Sequence, residues 1–177
     1  MALDDDFKAV IIRDEDPGEE SLSDGLIREA FGRENEARLV ETIRQSPGFN
    51  PKLSLVAQNW MGVMGYALFS PVTVQAAPPV RAAVLHPVAV GPKYRKLGAG
   101  ERFVRHGAQR CSAVGINLIF TISAPRFFAR LGFVPAQSAG FTPDIALSKD
   151  SFLALDLTGT AIGKVSGTVV FPEPFKK

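Results

Sequence analysis

One basic, glycine-containing turn between an apolar run and a long amphipathic segment constrains this chain more than any other feature. The apolar run is Val88-Ala89-Val90, and the turn after it reads Gly91-Pro92-Lys93-Tyr94-Arg95-Lys96-Leu97-Gly98-Ala99-Gly100. Glycine and proline directly after such a run predict a strand that ends there. From about residue 97 to residue 114 the apolar side chains recur at helical spacing, and one face comprises Phe103, Val104, Gly107, Ala108 and Cys111. The pattern predicts a strand, a tight turn and a helix.

A second apolar run indicates how this unit continues. Residues 117–122 predict another strand, and the strand before the turn is expected to span residues 81–90. A strand–helix–strand connection of this kind joins parallel neighbours. Pro87 lies inside the first strand and Pro125 just past the second, and proline removes a donor from the ladder. We therefore expect a parallel pair that separates near its carboxyl ends.

The rest of the chain alternates between predicted helices and strands. A strand over residues 7–13 precedes a helix that Asp16 is expected to cap, with an inner face of Leu22, Leu26, Ile27, Ala30 and Phe31. A second helix is expected over residues 34–45, a hairpin over 53–58 and 63–74, and a short helix over 125–131. Closing strands are expected near residues 133–134, 152–157 and 165–171. The sequence thus predicts a single α+β (mixed α/β) domain over residues 1–177, with a central mixed, mostly antiparallel sheet.

Composition excludes several classes of protein. The chain has 177 residues, 46% of them hydrophobic, and a formal net charge of +2, which is unlike a disordered chain. The single cysteine, Cys111, excludes an internal disulfide, and no spacing of His, Cys, Asp and Glu suggests a metal site, so we predict no metal. The first residues are acidic where a signal peptide would be basic and then apolar. No apolar run approaches the ~20 residues of a membrane helix. We expect a cytoplasmic protein that does not enter a membrane.

The glycine-containing turn is suited to a phosphate. Gly98 and Gly100 have no Cβ, so a ligand can approach the backbone closely, and the N–H groups at the start of a helix favour an anion. Arg95 and Lys96 add positive charge. A P-loop would need Gly-Lys-Ser/Thr, which does not follow Gly98. A dinucleotide fingerprint would need a third glycine, where the chain has residues 101–103.

Two motifs, in order along the chain, resemble the GNAT acetyltransferases. Arg95-x-x-Gly98-x-Gly100 resembles the acetyl-CoA pyrophosphate loop of that family, whose pattern is Arg/Gln-x-x-Gly-x-Gly/Ala. Phe128-x-x-x-Gly132-Phe133 resembles the family's aromatic-x-x-x-Gly-Phe segment. Further likeness at residues 30–32, 36–40, 65–72, 152–155 and 165–169 makes the chain most similar to the YhbS-like bacterial subgroup. The resemblance covers most of the chain.

This resemblance implies a GNAT-like fold and an N-acyltransferase that moves an acetyl (acyl) group from acetyl-CoA to an amine. The acceptor would be a small molecule or a protein, and its amine would attack the thioester directly. The pantetheine arm would lie between the separated strands, with Val88 and Val90 on its amides and Ala89 between them. The pyrophosphate would lie on Arg95, Lys96, Leu97, Gly98, Ala99 and Gly100. Ser123, Phe127 and Phe128 would complete the cofactor side.

Phe128 departs from the pattern of the family. Many members have a tyrosine at this position, whose hydroxyl can protonate the departing thiolate, and neither Phe127 nor Phe128 has one. Thr121 likewise stands where many members have an asparagine that contacts the cofactor. Water or another group could supply the proton; alternatively, the chain is a non-catalytic acyl-CoA-binding sensor or scaffold. His86 is the candidate general base because its pKa suits the task, although a histidine before proline can also be structural.

The net charge of +2 conceals an uneven distribution. Residues 1–45 carry 13 acidic and 6 basic side chains, whereas residues 91–130 carry 8 basic and 1 acidic. The basic segment suits a polyanion such as CoA, and the acidic one would favour a cationic amine. No aromatic-interleaved basic strand accompanies the positive charge, so we predict no nucleic-acid partner. An exposed strand edge leaves both a monomer and a homodimer open.

Overall fold

The helices and strands of the chain are defined by a computed structural model that describes residues 10–95 and 98–177. In this part of the chain the α-helices are Glu20–Phe31 (α1), Asn35–Arg44 (α2), Ala99–Ala113 (α3) and Pro125–Ala129 (α4). The strands are Ile11–Asp14 (β1), Ser54–Asn59 (β2), Gly62–Gln75 (β3), Arg81–Val90 (β4), Leu118–Thr121 (β5), Val134–Pro135 (β6), Phe141–Pro143 (β7), Leu153–Asp156 (β8) and Gly167–Val170 (β9). Short 3-10 turns occupy Pro51–Leu53, Pro92–Tyr94, Lys149–Ser151 and Glu173–Lys176.

The backbone divides into two compact units. The first comprises the chain up to Leu68 together with Pro87–Gly107, and the second comprises Phe69–His86 with Ala108–Lys177. Strands β3 and β4 and helix α3 each contribute to both units. The carboxyl end of β4 and the basic turn therefore belong to the first unit, and the amino-terminal part of β4 belongs to the second.

The sheet of the first unit is antiparallel where β1, β2 and β3 pair. Ile11 lies opposite Gln58 on β2, and Ser54 lies opposite Leu68 on β3. The turn between β2 and β3 carries Trp60 and Met61, with relative exposures of 75% and 50%. The predicted hairpin is thus present, and its tip presents two large apolar side chains to solvent.

Helix α1 begins later than the sequence pattern suggests. Its first residue is Glu20 and Glu19 occupies the cap position, so the prediction that Asp16 caps this helix is wrong. The Glu19 carboxylate folds back instead, accepting hydrogen bonds from Arg13 Nη2 at 2.7 Å and from the Asp16 N–H at 2.9 Å. This ion pair fixes residues 15–19 as the connection between β1 and α1, and the helix therefore starts later.

The buried face of α1 also differs from the prediction. Ile27 is fully buried as expected, but Leu22 is 58% exposed, and Ser23 beside it has no exposed surface. The apolar stripe of α1 is therefore narrower than its spacing of leucines suggests. Helix α2 agrees with its predicted face, because Ala37, Val40 and Ile43 are all buried.

Helix α3 packs closely on the first unit's sheet. A Cβ atom added to Gly65 would lie 2.5 Å from Cε2 of Phe103, so only glycine allows the helix to approach β3 at this point. Phe103, Val104 and Cys111 are buried, as the helical spacing predicts. The length and register of the predicted helix are therefore close to the observed ones.

The second unit contains a mixed sheet. Residues Ala82–Leu85 of β4 pair in parallel with Leu118–Thr121 of β5, and β5 pairs antiparallel with β8. Strand β9 pairs antiparallel with β3 and parallel with β7, a three-residue strand absent from the sequence-based prediction. The predicted parallel pair is confirmed, within the mixed fold class expected.

A hydrophobic core fills one face of this second sheet. The strands contribute Val72, Val74, Ala82, Val84, Leu118, Phe120, Ala154 and Val169. Strand β7 contributes Phe141, and the segments before β8 and after β9 contribute Phe152 and Phe171; the rings of Phe120 and Phe152 stack at 5.2 Å. The segment after β9 therefore packs against the core of this unit through Phe171.

Candidate functional site

The carboxyl end of β4 leads directly into the basic turn. The Gly91 N–H donates to the Met64 carbonyl at 2.8 Å, and the Tyr94 N–H donates to the Gly91 carbonyl at 2.8 Å. Along this end of β4, Val88 and Val90 are half-buried whereas Ala89 is buried. Because side chains alternate across a strand, the two valines share the more open face and Ala89 faces the packed one.

Arg95 lies in the turn and is held by backbone carbonyl groups. Its guanidinium donates through Nη2 to the Ala30 carbonyl in the last turn of α1 and through Nε to the Val90 carbonyl at 3.4 Å. The last carbonyls of a helix have no partner within the helix and carry partial negative charge, so an arginine is favourable there. Arg95 therefore joins the turn to α1. Lys96 and Leu97, predicted beside it, lie outside the described residues.

Gly98 forms the start of helix α3. It has a φ of +83°, a Cβ there would meet no atom within 4 Å, and its carbonyl accepts from the Arg102 N–H at 3.0 Å. The residue is exposed and Ala99, the first residue of the helix, is buried, while Gly100 is half-buried. Exposed glycine backbone at the first turn of a 15-residue helix is suited to bind an anion. The residues present thus fit a pyrophosphate.

The end of β5 contributes a second set of predicted residues, in the second unit. Thr121 is the last residue of β5, and its buried Oγ1 has no hydrogen-bond partner among residues 10–95 and 98–177. The parallel pairing of β5 with β4 ends at Leu85, whereas β4 continues to Val90. Ser123 is half-buried, and Ala124 then turns the chain with a φ of +49° into α4.

Phe128 is packed within an aromatic group. It is 2% exposed, and its ring centroid lies 5.0 Å from that of Phe127 and 5.0 Å from that of Phe133, in both cases edge to face. Phe127 is only half-buried. The Phe128 side chain therefore stabilises the link between α4 and the strand that follows, and has no group that can exchange a proton.

His86, the candidate base, lies on β4 in the second unit. It is 8% exposed, and its ring centroid lies 6.5 Å from that of Phe175 in the carboxyl-terminal 3-10 turn. Phe175 was not predicted as a site residue, because a single aromatic residue among prolines matches no known motif. The structure brings this distant residue to His86.

A buried polar cluster in the first unit was also missed. Arg44 Nη2 donates to Glu15 Oε1 at 2.6 Å, and Arg44 Nη1 donates to Asp24 Oδ1 at 2.8 Å. Ser54 Oγ donates to Glu15 Oε2 at 2.8 Å and therefore accepts from the Tyr66 hydroxyl at 2.9 Å. Burial is the main cause that raises the pKa of Tyr66. These residues are far apart in the sequence, so no local pattern could identify them.

The described part of the chain has neither a cluster of metal-ligating side chains nor a helix that could span a membrane. No group of three or more His, Cys, Asp and Glu side chains there could hold a metal ion. None of the helices described has the length and apolar character required to cross a bilayer.

Several known proteins are similar to this chain in amino-acid sequence. The Acetyltransferase (GNAT) family model matches residues 21–133. The uncharacterized N-acetyltransferase YhbS of Escherichia coli K12 is 31% identical over 169 residues, which are 95% of this chain and 99% of that protein. The uncharacterized N-acetyltransferase YjhQ of the same strain is 31% identical over 109 residues, covering 60% of this chain and 59% of that protein.

Several known crystal structures are similar to this chain in three dimensions. The structure of Escherichia coli YhbS in complex with CoA has a TM-score of 0.88 at 30% identity, covering 96% of this chain and 93% of that one. A GNAT family acetyltransferase from Brucella melitensis in complex with acetyl-CoA has a TM-score of 0.75 at 23% identity, covering 94% and 97%. At 23% identity, the similarity to the Brucella melitensis protein shows a shared fold.

Proposed function

Because the chain belongs to the acetyltransferase (GNAT) family, it is an acyltransferase that uses acetyl-CoA, and we propose that its acceptor is an amine that attacks the thioester directly. The observation that supports acetyl-CoA as the donor is the exposed Gly98 backbone at the start of α3, three positions after Arg95 in the sequence. The related YhbS protein was crystallised with CoA, which supports the same ligand here.

We assign the pyrophosphate and the pantetheine arm of acetyl-CoA to different residues. The backbone N–H groups of Gly98, Ala99 and Gly100 bind the pyrophosphate, assisted by the charges of Arg95 and Lys96, and Leu97 is assigned to the same ligand. The open face of β4 at Val88 and Val90, with Ala89 between them, binds the pantetheine arm. Ser123, Phe127 and Phe128 are the remaining proposed cofactor contacts. Bound acetyl-CoA supplies the reactive thioester.

His86 is the proposed general base. It precedes Pro87 and Val88 on β4, and a neutral imidazole can take the proton from an ammonium group so that the free amine attacks. Phe128 cannot protonate the thiolate that leaves, so we assign that proton to water or to another group. The alternative is a chain that binds acyl-CoA without turnover. Such a chain would release no thiol with any amine.

We also propose the setting in which the enzyme works. Residues 1–177 act as one acyltransferase domain, and the protein is cytoplasmic and monomeric or homodimeric. The family match spans residues 21–133 and so includes parts of both compact units, which supports one domain. Sedimentation of the full chain is expected to give a single species of one or two chains.

Acetyl-CoA is expected to raise the melting temperature of the protein, and Gly98→Glu to remove that rise. A ligand at 100 times its Kd stabilises by about 2.7 kcal/mol, which corresponds to roughly 5–11 °C for a chain of this size. The glutamate places negative charge where the pyrophosphate binds. Thermal melts followed by circular dichroism, with and without millimolar acetyl-CoA, provide the measurement.

Gly163→Glu is the matched control for this variant. Gly163 has the same φ of +83° and, like Gly98, no atom within 4 Å of an added Cβ, but it lies in a turn of the second unit. Both variants should lose similar stability, and only Gly163→Glu should retain the acetyl-CoA shift. A wild-type protein with no shift at millimolar acetyl-CoA would contradict the cofactor assignment.

His86→Ala is expected to lower the turnover of acetyl-CoA with an amine by about 10²- to 10⁴-fold, the usual contribution of a general base. Thiol release is measured with a free-thiol reagent across a panel of primary amines. The protein's own thiol should not react, because burial raises the pKa of Cys111 to about 12. His106→Ala is the control and should retain full activity. Equal loss in both variants would argue against His86 as the base.

A further inference from the structure

We propose that Ser70 and Phe175 form, together with His86, the site that receives the acceptor amine. Ser70 lies on β3, His86 on β4 and Phe175 in the carboxyl-terminal 3-10 turn, all in the second unit. The inference rests on the proposed function, since it concerns the acceptor of that transfer. It adds two binding residues and a class of acceptor.

Alternation along the strands places Ser70 and His86 on one face of the sheet. Val72 on β3 and Val84 on β4 belong to the same buried core cluster, so they share a face. Ser70 lies two residues before Val72, and His86 lies two residues after Val84. Strands β3 and β4 are neighbours joined by residues 76–80, and so short a connection joins antiparallel strands. Ser70 and His86 therefore lie on the same face and at the same end of the pair.

The Ser70 hydroxyl is buried without a partner. The residue is 3% exposed, and within residues 10–95 and 98–177 its Oγ has no hydrogen bond. A buried hydroxyl that is left unpaired is unfavourable, and such groups in native structures usually find a protein or ligand partner. An N–H group of an acceptor can supply this partner, donating to Oγ.

Phe175 is fastened in place beside His86. Asp144 accepts the Phe171 N–H at 2.9 Å through Oδ1 and pairs with Lys176 Nζ at 2.9 Å through Oδ2. The rings of Phe171 and Phe175 lie 5.6 Å apart, and the Phe175 ring lies 6.5 Å from the His86 ring at an angle of 53°. Contacts on both sides of Phe175 thus hold its ring in position.

The three side chains have complementary tasks in binding an amine. The Ser70 hydroxyl accepts one N–H of the amine, and the imidazole of His86 accepts the proton that the ammonium group loses. The ring of Phe175 offers an apolar wall to the carbon atoms next to the nitrogen. The acceptor class that fits these groups is a primary amine on an alkyl or aryl stem.

Imidazole NMR combined with turnover tests this proposal. The sequence has two histidines, so the ¹⁵N-labelled rings of His86 and His106 give two sets of signals, and His106 serves as an internal reference. Butylamine, phenethylamine, spermidine and lysine are titrated into CoA-loaded protein for NMR and, in separate reactions with acetyl-CoA as the donor, are assayed for thiol release. We expect at least one amine to be turned over and to shift the His86 signals. Ser70→Ala and Phe175→Ala should each weaken both effects about tenfold, in KM rather than in acetyl-CoA affinity.

Two comparison variants separate binding from a general loss of structure. Thr73→Ala removes an exposed hydroxyl on the opposite face of the same strand and should match the wild type. Phe175→Leu retains an apolar wall and should recover part of the affinity for butylamine. Ser70→Ala should melt at no lower a temperature than the wild type, because it removes an unpaired hydroxyl.

The outcomes distinguish this inference from the proposed function. A wild type that releases thiol and shows the His86 shift, while Ser70→Ala and Phe175→Ala behave identically to it, overturns the inference alone. A wild type that neither releases thiol nor shifts with any amine overturns the amine-acceptor proposal and this inference together.

Discussion

At the scale of single residues, Arg44 is the side chain on which most of a buried polar cluster depends. Its side chain is 11% exposed, and the Glu15 side chain that it pairs with is 5% exposed. It also pairs with Asp24, and its guanidinium carbon lies 5.5 Å from the centroid of the Tyr66 ring. Without Arg44, a carboxylate would remain buried without its cation.

Arg44→Ala is therefore expected to lower the free energy of unfolding by about 3–5 kcal/mol, the usual cost of removing one partner of a buried ion pair. Urea denaturation followed by circular dichroism provides the measurement. Arg28→Ala is the control, because Arg28 and Glu34 form an exposed pair and its loss should cost about 0–1 kcal/mol. Equal effects of the two variants would show that the buried cluster contributes no more than a surface pair.

At the scale of elements, the turn after β8 is held by one carboxylate. Asp156 Oδ1 accepts from the backbone N–H groups of Thr158 and Gly159, and Oδ2 accepts from those of Ala161 and Ile162. Burial alone would raise the pKa of Asp156, but the backbone hydrogen bonds from Ile162, Ala161 and Thr158 outweigh it and lower the pKa to about 2. The ionised carboxylate thus stabilises the folded turn.

Asp156→Asn is expected to cost about 1 kcal/mol at neutral pH and progressively less at acid pH. Because the folded pKa of about 2 lies below the ordinary 3.8, the stabilisation is present above about pH 4 and is lost as the pH falls through about 2. Urea melts of both proteins between pH 7 and pH 2 should therefore converge at the acid end. Asp150→Asn, at an exposed site outside this turn, is the control and should match the stability of the wild type at pH 7.

Elements with strong periodicity and clear ends could be predicted from the sequence, and those fixed by distant partners could not. The bounds of β4, the buried stripe of α3 and the parallel β4–β5 pair agree with expectation, and the similar solved structures confirm the GNAT-like mixed fold. The start of α1 was missed because Glu19 pairs with Arg13, and β7 because three residues carry no period.

The candidate site shows the same division. The end of β4 and the helix start after Gly98 could be predicted because the signals are local: glycines, basic residues and a helical pattern occur within a few positions. Ser70 and Phe175 could not, because one is a lone serine in an apolar strand and the other lies 89 positions after His86. Only the packing of the carboxyl-terminal segment against the sheet of the second unit brings that ring to the imidazole.

At the scale of the whole molecule, opposite charges are concentrated in different parts of the chain. Residues 1–45 remain net acidic although Arg13, Arg28, Arg33 and Arg44 all pair with carboxylates there. The basic charge of residues 91–130 includes the turn assigned to the pyrophosphate. Under the proposed function, we expect the basic segment to attract the polyanionic donor and the acidic segment to favour a cationic acceptor.

Amines with an additional positive charge are therefore expected to be better acceptors than amines that carry a carboxylate. At saturating acetyl-CoA, spermidine should show a kcat/KM about tenfold above that of glutamate at low ionic strength, and the advantage should shrink as salt screens the field. Steady-state thiol release at two salt concentrations provides the measurement. Better use of anionic amines would contradict the steering role of the acidic segment.

The exposed turn between β2 and β3 has a spectroscopic consequence. Trp60 is the chain's single tryptophan, and it is 75% exposed in the folded protein. Its indole is already surrounded mainly by water, so its emission should change little when the core unfolds. Circular dichroism, rather than intrinsic fluorescence, will report denaturation of this enzyme. Conversely, a blue shift of that emission would signal that another molecule has covered the turn, without any added label.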